Sequence, residues 1–403
     1  MSTPSVVSDR IRRIKLSPSV AARAIIADLR EQGREIIDLT IGEPDFSTPA
    51  HIIDAAKRAM DAGQTKYPTS QGTTALRRAA QARIKEDVGQ DYPIAQIIVS
   101  TGAKQVIFNA LGATLNDGDE VIIPAPFWVS YPDMVVVNGG VPVAVATTPE
   151  QQYKLTPEAL EAAITPRTKW LMMNSPSNPT GALYTREDLE GLAEVLKHHP
   201  QVWLMTDDIY ARLNFTGEPT VHPVQVAPEL AARTLIINGV SKAYAMTGWR
   251  IGYGAGPADL IKAMAVLQSQ STSGACSISQ AAAVEALSGP QDCVREFAGI
   301  FRQRRDAAVE RLSQVPGLKV VVPDGAFYVF PDCNGLLGKT TPDGKVLEND
   351  TDVTHYLLRE AGVAVIDGHA YGAPGTFRLS FAASLDDIEK GCEGIRAACA
   401  RLS

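Results

Sequence analysis

Five short apolar runs recur through the middle of this chain, each bounded by turn residues: Ile97 to Ser100, Val121 to Ile123, Trp170 to Met173, Val202 to Met205 and Leu235 to Ile237. Helical segments such as Lys104 to Leu115 and Glu187 to Lys197 separate several of them. A strand that is apolar on both sides needs cover on both sides. Strand–helix alternation supplies that cover by placing helices on the two faces of a mainly parallel sheet. The expected fold class is α/β. Ahead of these runs, Thr48-Pro49 opens and Gly63 closes a helix expected to turn Ile52, Ile53, Ala56 and Met60 to one face.

After about residue 290 the pattern changes. A long charged helix, Cys293 to Leu312, leads into apolar runs at Leu318 to Val322 and Phe327 to Phe330, then helix, strand and helix. The expected division is a large domain over residues 48–290 and a smaller α/β domain over 291–403, with 1–47 packing on the smaller one. Residues 332–351, with three Gly and three Asp, read as an irregular excursion.

Charge and composition remove several function classes. A formal charge of −7 disfavours nucleic acid and anionic membrane as partners, since both are polyanions. The densest basic cluster, Arg302, Arg304 and Arg305, falls in a predicted helix and reads as a solvated face. Five scattered cysteines without CxxC spacing argue against a disulfide framework or zinc site, and six histidines include no HxH or HxxxH pair; no metal is expected. The N-terminus lacks the apolar stretch of a signal peptide, and no apolar run approaches the ~18 residues of a membrane span. A cytoplasmic protein that handles small molecules is the expectation.

In an open parallel sheet, ligands bind at the carboxyl ends of the strands. Thr101-Gly102-Ala103-Lys104 follows one apolar run and opens a helix; Asn178 lies in Pro176 to Gly181, just past another. Asp207-Asp208 ends a third, and Lys242 follows a fourth. Each alone has a plain explanation: a turn, a helix cap, a loop, a surface lysine. Together they support a ligand site with an anion pocket, and the residue types take the reading no further.

The run Ser241-Lys242-Ala243-Tyr244-Ala245-Met246-Thr247-Gly248-Trp249-Arg250 closely resembles the cofactor-lysine segment of the class I aminotransferases, a branch of the fold-type I pyridoxal-phosphate enzymes. Asn178-Pro179-Thr180-Gly181, Asp207-Asp208-Ile209-Tyr210 and Phe377-Arg378-Leu379-Ser380-Phe381 match further blocks of that family in the same order, so the resemblance runs from about Ile41 to Ala383. It implies a seven-stranded sheet, pyridoxal 5'-phosphate as cofactor, and an enzyme that moves an amino group between an L-amino acid and a 2-oxo acid by a ping-pong mechanism. Lys242 would bond the cofactor and carry the proton; Asp207 would face the pyridine nitrogen; Tyr210 and Asn178 would share the phenolic oxygen; Trp128 would stack on the ring. Gly102, Ala103 and Lys104 backbone N–H groups, Ser241 and Arg250 would hold the phosphate, joined by Tyr67 from a second subunit, which implies a homodimer. Arg378 would grip the substrate α-carboxylate, with Gly42 and Asn178 alongside. The family usually has Glu where this chain has Asp208, which is not expected to be catalytic.

Within the family the chain most resembles bacterial aspartate aminotransferases of the one-beta subgroup, where a lysine at the position of Lys104 helps to recognise a distal carboxylate. Aspartate or glutamate is therefore the expected donor. Lys15 resembles a lysine that some members use for prephenate, and Ser19 falls where a threonine is common. The alternatives are an aromatic, prephenate or other neutral amino-acid aminotransferase, or a carbon–sulfur lyase on the same scaffold.

Overall fold

The computed structural model describes residues 6–14 and 18–403, with side chains from residue 24 onward in the second stretch. Its strands are, in chain order, β1 (Ile37–Asp38), β2 (Ile97–Ser100), β3 (Glu120–Ala125), β4 (Val141–Ala146), β5 (Thr168–Asn174) and β6 (Trp203–Asp207). They continue with β7 (Thr234–Gly239), β8 (Gly252–Ala255), β9 (Tyr328–Val329), β10 (Val363–Ala364), β11 (Ile366–Asp367) and β12 (Phe377–Ser380).

Seven of these form the central sheet, in the order β2-β8-β7-β6-β5-β3-β4. All run parallel except β8, which is antiparallel to both its neighbours. The five apolar runs are β2, β3, β5, β6 and β7. The other two carry no such run, for opposite reasons. β4 is an edge strand with alternating exposure and a proline, Pro142, that an edge tolerates. β8 reads Gly-Tyr-Gly-Ala and is buried throughout. A Cβ on Gly252 would lie 2.1 Å from the Ala103 nitrogen, and one on Gly254 2.8 Å from Val106. Close packing against the helix Ala103–Thr114 leaves β8 no room for the side chains that would advertise a strand.

Three clusters of apolar side chains fill the two faces of this sheet. A fourth, which includes Phe301, Phe327, Tyr328, Phe377 and Ile395, gathers residues of 297–399 together with Leu39 and with Ile209, Tyr210, Leu213, Phe215 and Ala245. The pairing of β1 with β10 ties residues 37–38 to 363–364, and β11-β12-β9 makes a small antiparallel sheet.

The apolar run Leu318 to Val322 forms no strand: only Lys319 bridges, to Asp332, and Val322 stands exposed ahead of Pro323. Two details depart from expectation. The helix Ala50–Asp61 buries Ile52, Ala55, Ala56 and Ala59, whereas Ile53 is half-buried and Met60 exposed. It packs on the alanine-rich helix Ser277–Ser288, and small side chains on both let the pair approach closely. The arginine cluster is no solvated face. On the helix Asp292–Leu312, Arg304 is buried and grips Asp45 with both Nη atoms, at 2.7 and 2.8 Å. Arg305 turns inward to the Pro323 carbonyl, and only Arg302 is exposed.

Candidate active site

Strands β2, β5, β6 and β7 all end at one edge of the sheet, and the segments that follow them wall a cavity of about 310 Å³. Gly42, Tyr328 and Arg378 close its other side.

At its deep end lies Asp207, the last residue of β6, almost fully buried. Tyr131 Oη donates to its Oδ2 at 2.6 Å, and the Ile209 N–H reaches Oδ1 at 3.4 Å. Burial pushes this carboxyl up to about 6; the Tyr131 bond pulls it back, and the Asp208 charge adds to the rise. The group thus stays mostly ionised at neutral pH. Asp208 itself points elsewhere, towards His222 Nε2 at 3.3 Å, and does not line this cavity.

Lys242 Nζ donates to the Gly42 carbonyl at 2.5 Å. Burial lowers its amine to about 8; the Glu43 carboxylate opposes this, while Arg250 and Arg378 reinforce it. At neutral pH an ordinary lysine is almost wholly protonated, whereas roughly a tenth of this one is neutral, and the share grows as pH rises through about 8.

Arg378 projects from β12, buried, with Nη1 on Asn178 Oδ1 at 3.1 Å and Nη2 on the Thr40 carbonyl at 2.6 Å. Its Nε has no hydrogen-bond partner among the described residues. Because Arg378 takes the Asn178 oxygen, the amide nitrogen of Asn178 is the end left to donate into the cavity. Asn174 braces both neighbours, accepting the Asn178 N–H at 2.8 Å and donating to the Asp207 carbonyl at 2.6 Å. Tyr210 Oη sits 3.0 Å from Tyr328 Oη; burial and that contact push the Tyr210 phenol well above its usual range.

The opposite end opens to solvent. Gly102, with φ +90°, leads into the helix Ala103–Thr114, whose first two residues line the cavity mouth. A Cβ there would meet Arg250 Nη2 at 2.5 Å, so the guanidinium packs against bare backbone. Lys104 Nζ donates to Ser130 Oγ at 3.1 Å and lies 4.6 Å above the Trp128 ring. Burial, then the Arg250 charge, lower its amine. Ser241 lines the same end.

All the expected site residues therefore converge except two. Gly102 lies just behind the lining, and Tyr67 is 96% exposed in the single chain, away from the cavity. Seven lining residues are not singled out by the sequence as site members: Glu43, Ser130, Tyr131, Asn174, Ile209, Thr247 and Tyr328. Tyr131 and Tyr328 lie within apolar stretches where an aromatic reads as core; a phenol in a run of otherwise apolar side chains is the signal that was there to find. Among the described residues no group of three or more His, Cys, Asp or Glu could hold a metal ion, and no helix is long and apolar enough to cross a membrane.

The chain belongs to the class I and II aminotransferases: the model of that family matches residues 34–395. It is 52% identical to the aspartate/prephenate aminotransferase of Cereibacter sphaeroides over 98% of this chain and 99% of that one. The crystal structure of the aspartate aminotransferase from Rhizobium meliloti superposes with a TM-score of 0.97 at 50% identity, covering 98% and 99% of the two chains. The Thermus thermophilus aspartate aminotransferase with maleate does so with a TM-score of 0.90 at 42% identity, covering 98% and 100%. The chain is thus a pyridoxal-phosphate-dependent transaminase. The cavity suits that cofactor: a buried carboxylate at one end for the ring nitrogen, a glycine-flanked helix start with Arg250 at the other for the phosphate, and a partly neutral amine between them.

Proposed function

We propose that this enzyme transfers the amino group of aspartate or glutamate to a 2-oxo acid. The observation that carries this is the placement of two cations: Arg378 buried on one wall, with an unpartnered Nε, and Lys104 held at the mouth by Ser130 and Trp128. A dicarboxylic amino acid meets both; a monocarboxylic one leaves Lys104 unused. The Thermus thermophilus relative bears maleate, a dicarboxylate, in its structure.

The cofactor, when bound, supplies an aldehyde that accepts the amino group and a ring that disperses the charge left by the departing Cα proton. Lys242 is the nucleophile that holds it, made competent by an amine lowered to about 8. Once freed by substrate, the same amine would take the Cα proton and deliver it to the cofactor's former aldehyde carbon, the shift that turns amino acid into oxo acid. Arg378 anchors the α-carboxylate and so aims the Cα–H bond at Lys242; Gly42 leaves room for that carboxylate. Asp207, its ionised form favoured by Tyr131, would face the ring nitrogen. The Asn178 amide and the Tyr210 hydroxyl would donate to the ring oxygen, Trp128 would cover the ring, and the N–H groups of Gly102, Ala103 and Lys104 with Ser241 and Arg250 would hold the phosphate.

A second reading, prephenate as an additional acceptor, has support in the Cereibacter sphaeroides relative, an aspartate/prephenate aminotransferase. Lys15, which bears on it, lies outside the described residues, as does the Ser19 side chain. We further propose a homodimer, in which Tyr67, exposed in one chain, reaches its partner's phosphate site. The proposed domain division is 48–290 against 1–47 with 291–403, supported by the pairing of β1 with β10 and by the grip of Arg304 on Asp45, both of which tie the first stretch to the last. Five free cysteines suit the reducing cytoplasm.

The test is a half-reaction panel. Aspartate should convert the bound cofactor from its aldehyde to its amine form, and 2-oxoglutarate should restore it, each faster than neutral counterparts. Release of pyruvate and a thiol from a cysteine conjugate, with no restoration by oxo acids, would instead identify a lyase.

A further inference from the structure

The proposed mechanism gives Tyr328, one of the polar residues lining the cavity, no task. Tyr328, on β9, is fully buried, and its hydroxyl lies 3.0 Å from that of Tyr210. Its ring lies beneath the Arg378 guanidinium, 4.4 Å from the ring centre to Cζ, because β9 and β12 are neighbours with Ser380 opposite Tyr328. One side chain therefore touches the group that would anchor the substrate carboxylate and the group that would hold the ring oxygen.

A phenol has one proton. If Tyr210 spends its own on the cofactor's ring oxygen, its lone pair is left facing Tyr328, which must then be the donor. A hydroxyl that accepts one hydrogen bond becomes a better donor in the next. We propose that Tyr328 is a positioning residue with two separable parts: its hydroxyl polarises Tyr210 towards the cofactor oxygen, and its ring holds Arg378 in line for the α-carboxylate. The inference rests on the reading of Tyr210 as the partner of that oxygen. Gly42 belongs to the same arrangement, since a Cβ there would stand 3.3 Å from the Tyr328 hydroxyl and crowd it.

Three variants of the cofactor-loaded enzyme separate the parts, read by the pH midpoint of the bound-cofactor absorbance and by KM for several amino acids. Tyr328→Phe keeps the ring and should raise the spectral midpoint by roughly a few tenths of a pH unit, with KM changed less than about twofold. Tyr328→Leu loses both parts and should add a KM increase of roughly 3- to 30-fold for every substrate, the range expected for a buried cation–ring contact. Tyr210→Phe should raise the midpoint by about one unit or more, as loss of a hydrogen bond to a charged oxygen requires. If Tyr210→Phe moves the midpoint and Tyr328→Phe does not, the role of the Tyr328 hydroxyl is refuted while the Tyr210 reading stands. An unmoved midpoint in Tyr210→Phe overturns the underlying reading. A KM rise in Tyr328→Phe equal to that in Tyr328→Leu refutes the separation of ring and hydroxyl.

Discussion

The two ends of the cavity are built from different materials. The phosphate end uses backbone and exposed charge: a positive-φ glycine, the first N–H groups of a helix, and an arginine resting on that glycine in open solvent. The ring and carboxylate end uses buried side chains that bond one another, Tyr131 to Asp207, Arg378 to Asn178, Tyr328 to Tyr210. At the open end charge is screened and changes mainly how tightly something binds. At the closed end burial shifts protonation itself, holding Asp207 near 6 and Lys242 near 8. Proton chemistry and the common carboxylate anchor thus share the closed end of one pocket, and selectivity falls to the open end.

Substitutions of the ring-facing groups at the closed end should strike turnover and pH dependence, Arg378 at that end the binding of every substrate, and those at the open end selectivity among substrates. The largest effect is expected for Lys242→Ala, which should cut turnover by at least about 10⁴-fold, the upper range for losing a proton-transfer group. Borohydride reduction followed by mass spectrometry should then find no cofactor on that peptide. Arg378→Lys should raise KM for every amino acid by roughly 10- to 100-fold, since an ammonium cannot reproduce the fork. A loss limited to one substrate would remove it from the carboxylate site. At the open end, Lys104→Ala should weaken aspartate and glutamate by about 10-fold and a neutral amino acid far less, the usual scale for one solvent-facing charged bond; equal losses would break the assignment of selectivity to that end.

Tyr131→Phe removes a bond that favours the ionised form of Asp207, so that carboxyl should titrate higher than about 6. Rate depends on the ionised form, so activity is lost as pH falls through this value. The acidic limb of the pH–rate profile should therefore move upward, by about one unit for a hydrogen bond to a carboxylate. The smallest effect is expected for Glu43→Gln. The Glu43 charge raises the Lys242 amine, so its removal should bring that amine below about 8. Reconstitution of cofactor-free protein needs the neutral amine and accelerates as pH rises through this value; its midpoint should move down by roughly a few tenths of a unit.

The same contrast governed what the sequence disclosed. The open end is written in local chemistry, with Gly102 ahead of a helix and Arg250 eight residues past Lys242, and a linear reading finds it. Strands β2, β3, β5, β6 and β7 showed through because burial on both faces demands apolar side chains. β8 did not, since its glycines answer to a helix 150 residues earlier in the chain. Tyr131 and Tyr328 were hidden for a related reason. Each meets its partner, Asp207 or Tyr210, only after the sheet is assembled, and beforehand each reads as one more core aromatic. The inward turn of Arg304 likewise depends on Asp45, 259 residues away.

Asn178 gives its oxygen to Arg378 and keeps its nitrogen for the ring. Anyone redesigning this scaffold for amines that lack a carboxyl group inherits that coupling: discard the guanidinium, and the amide is free to rotate and present the wrong atom to the cofactor. Changing the clientele of the enzyme therefore calls for a new partner to fix that amide, chosen before the arginine is removed.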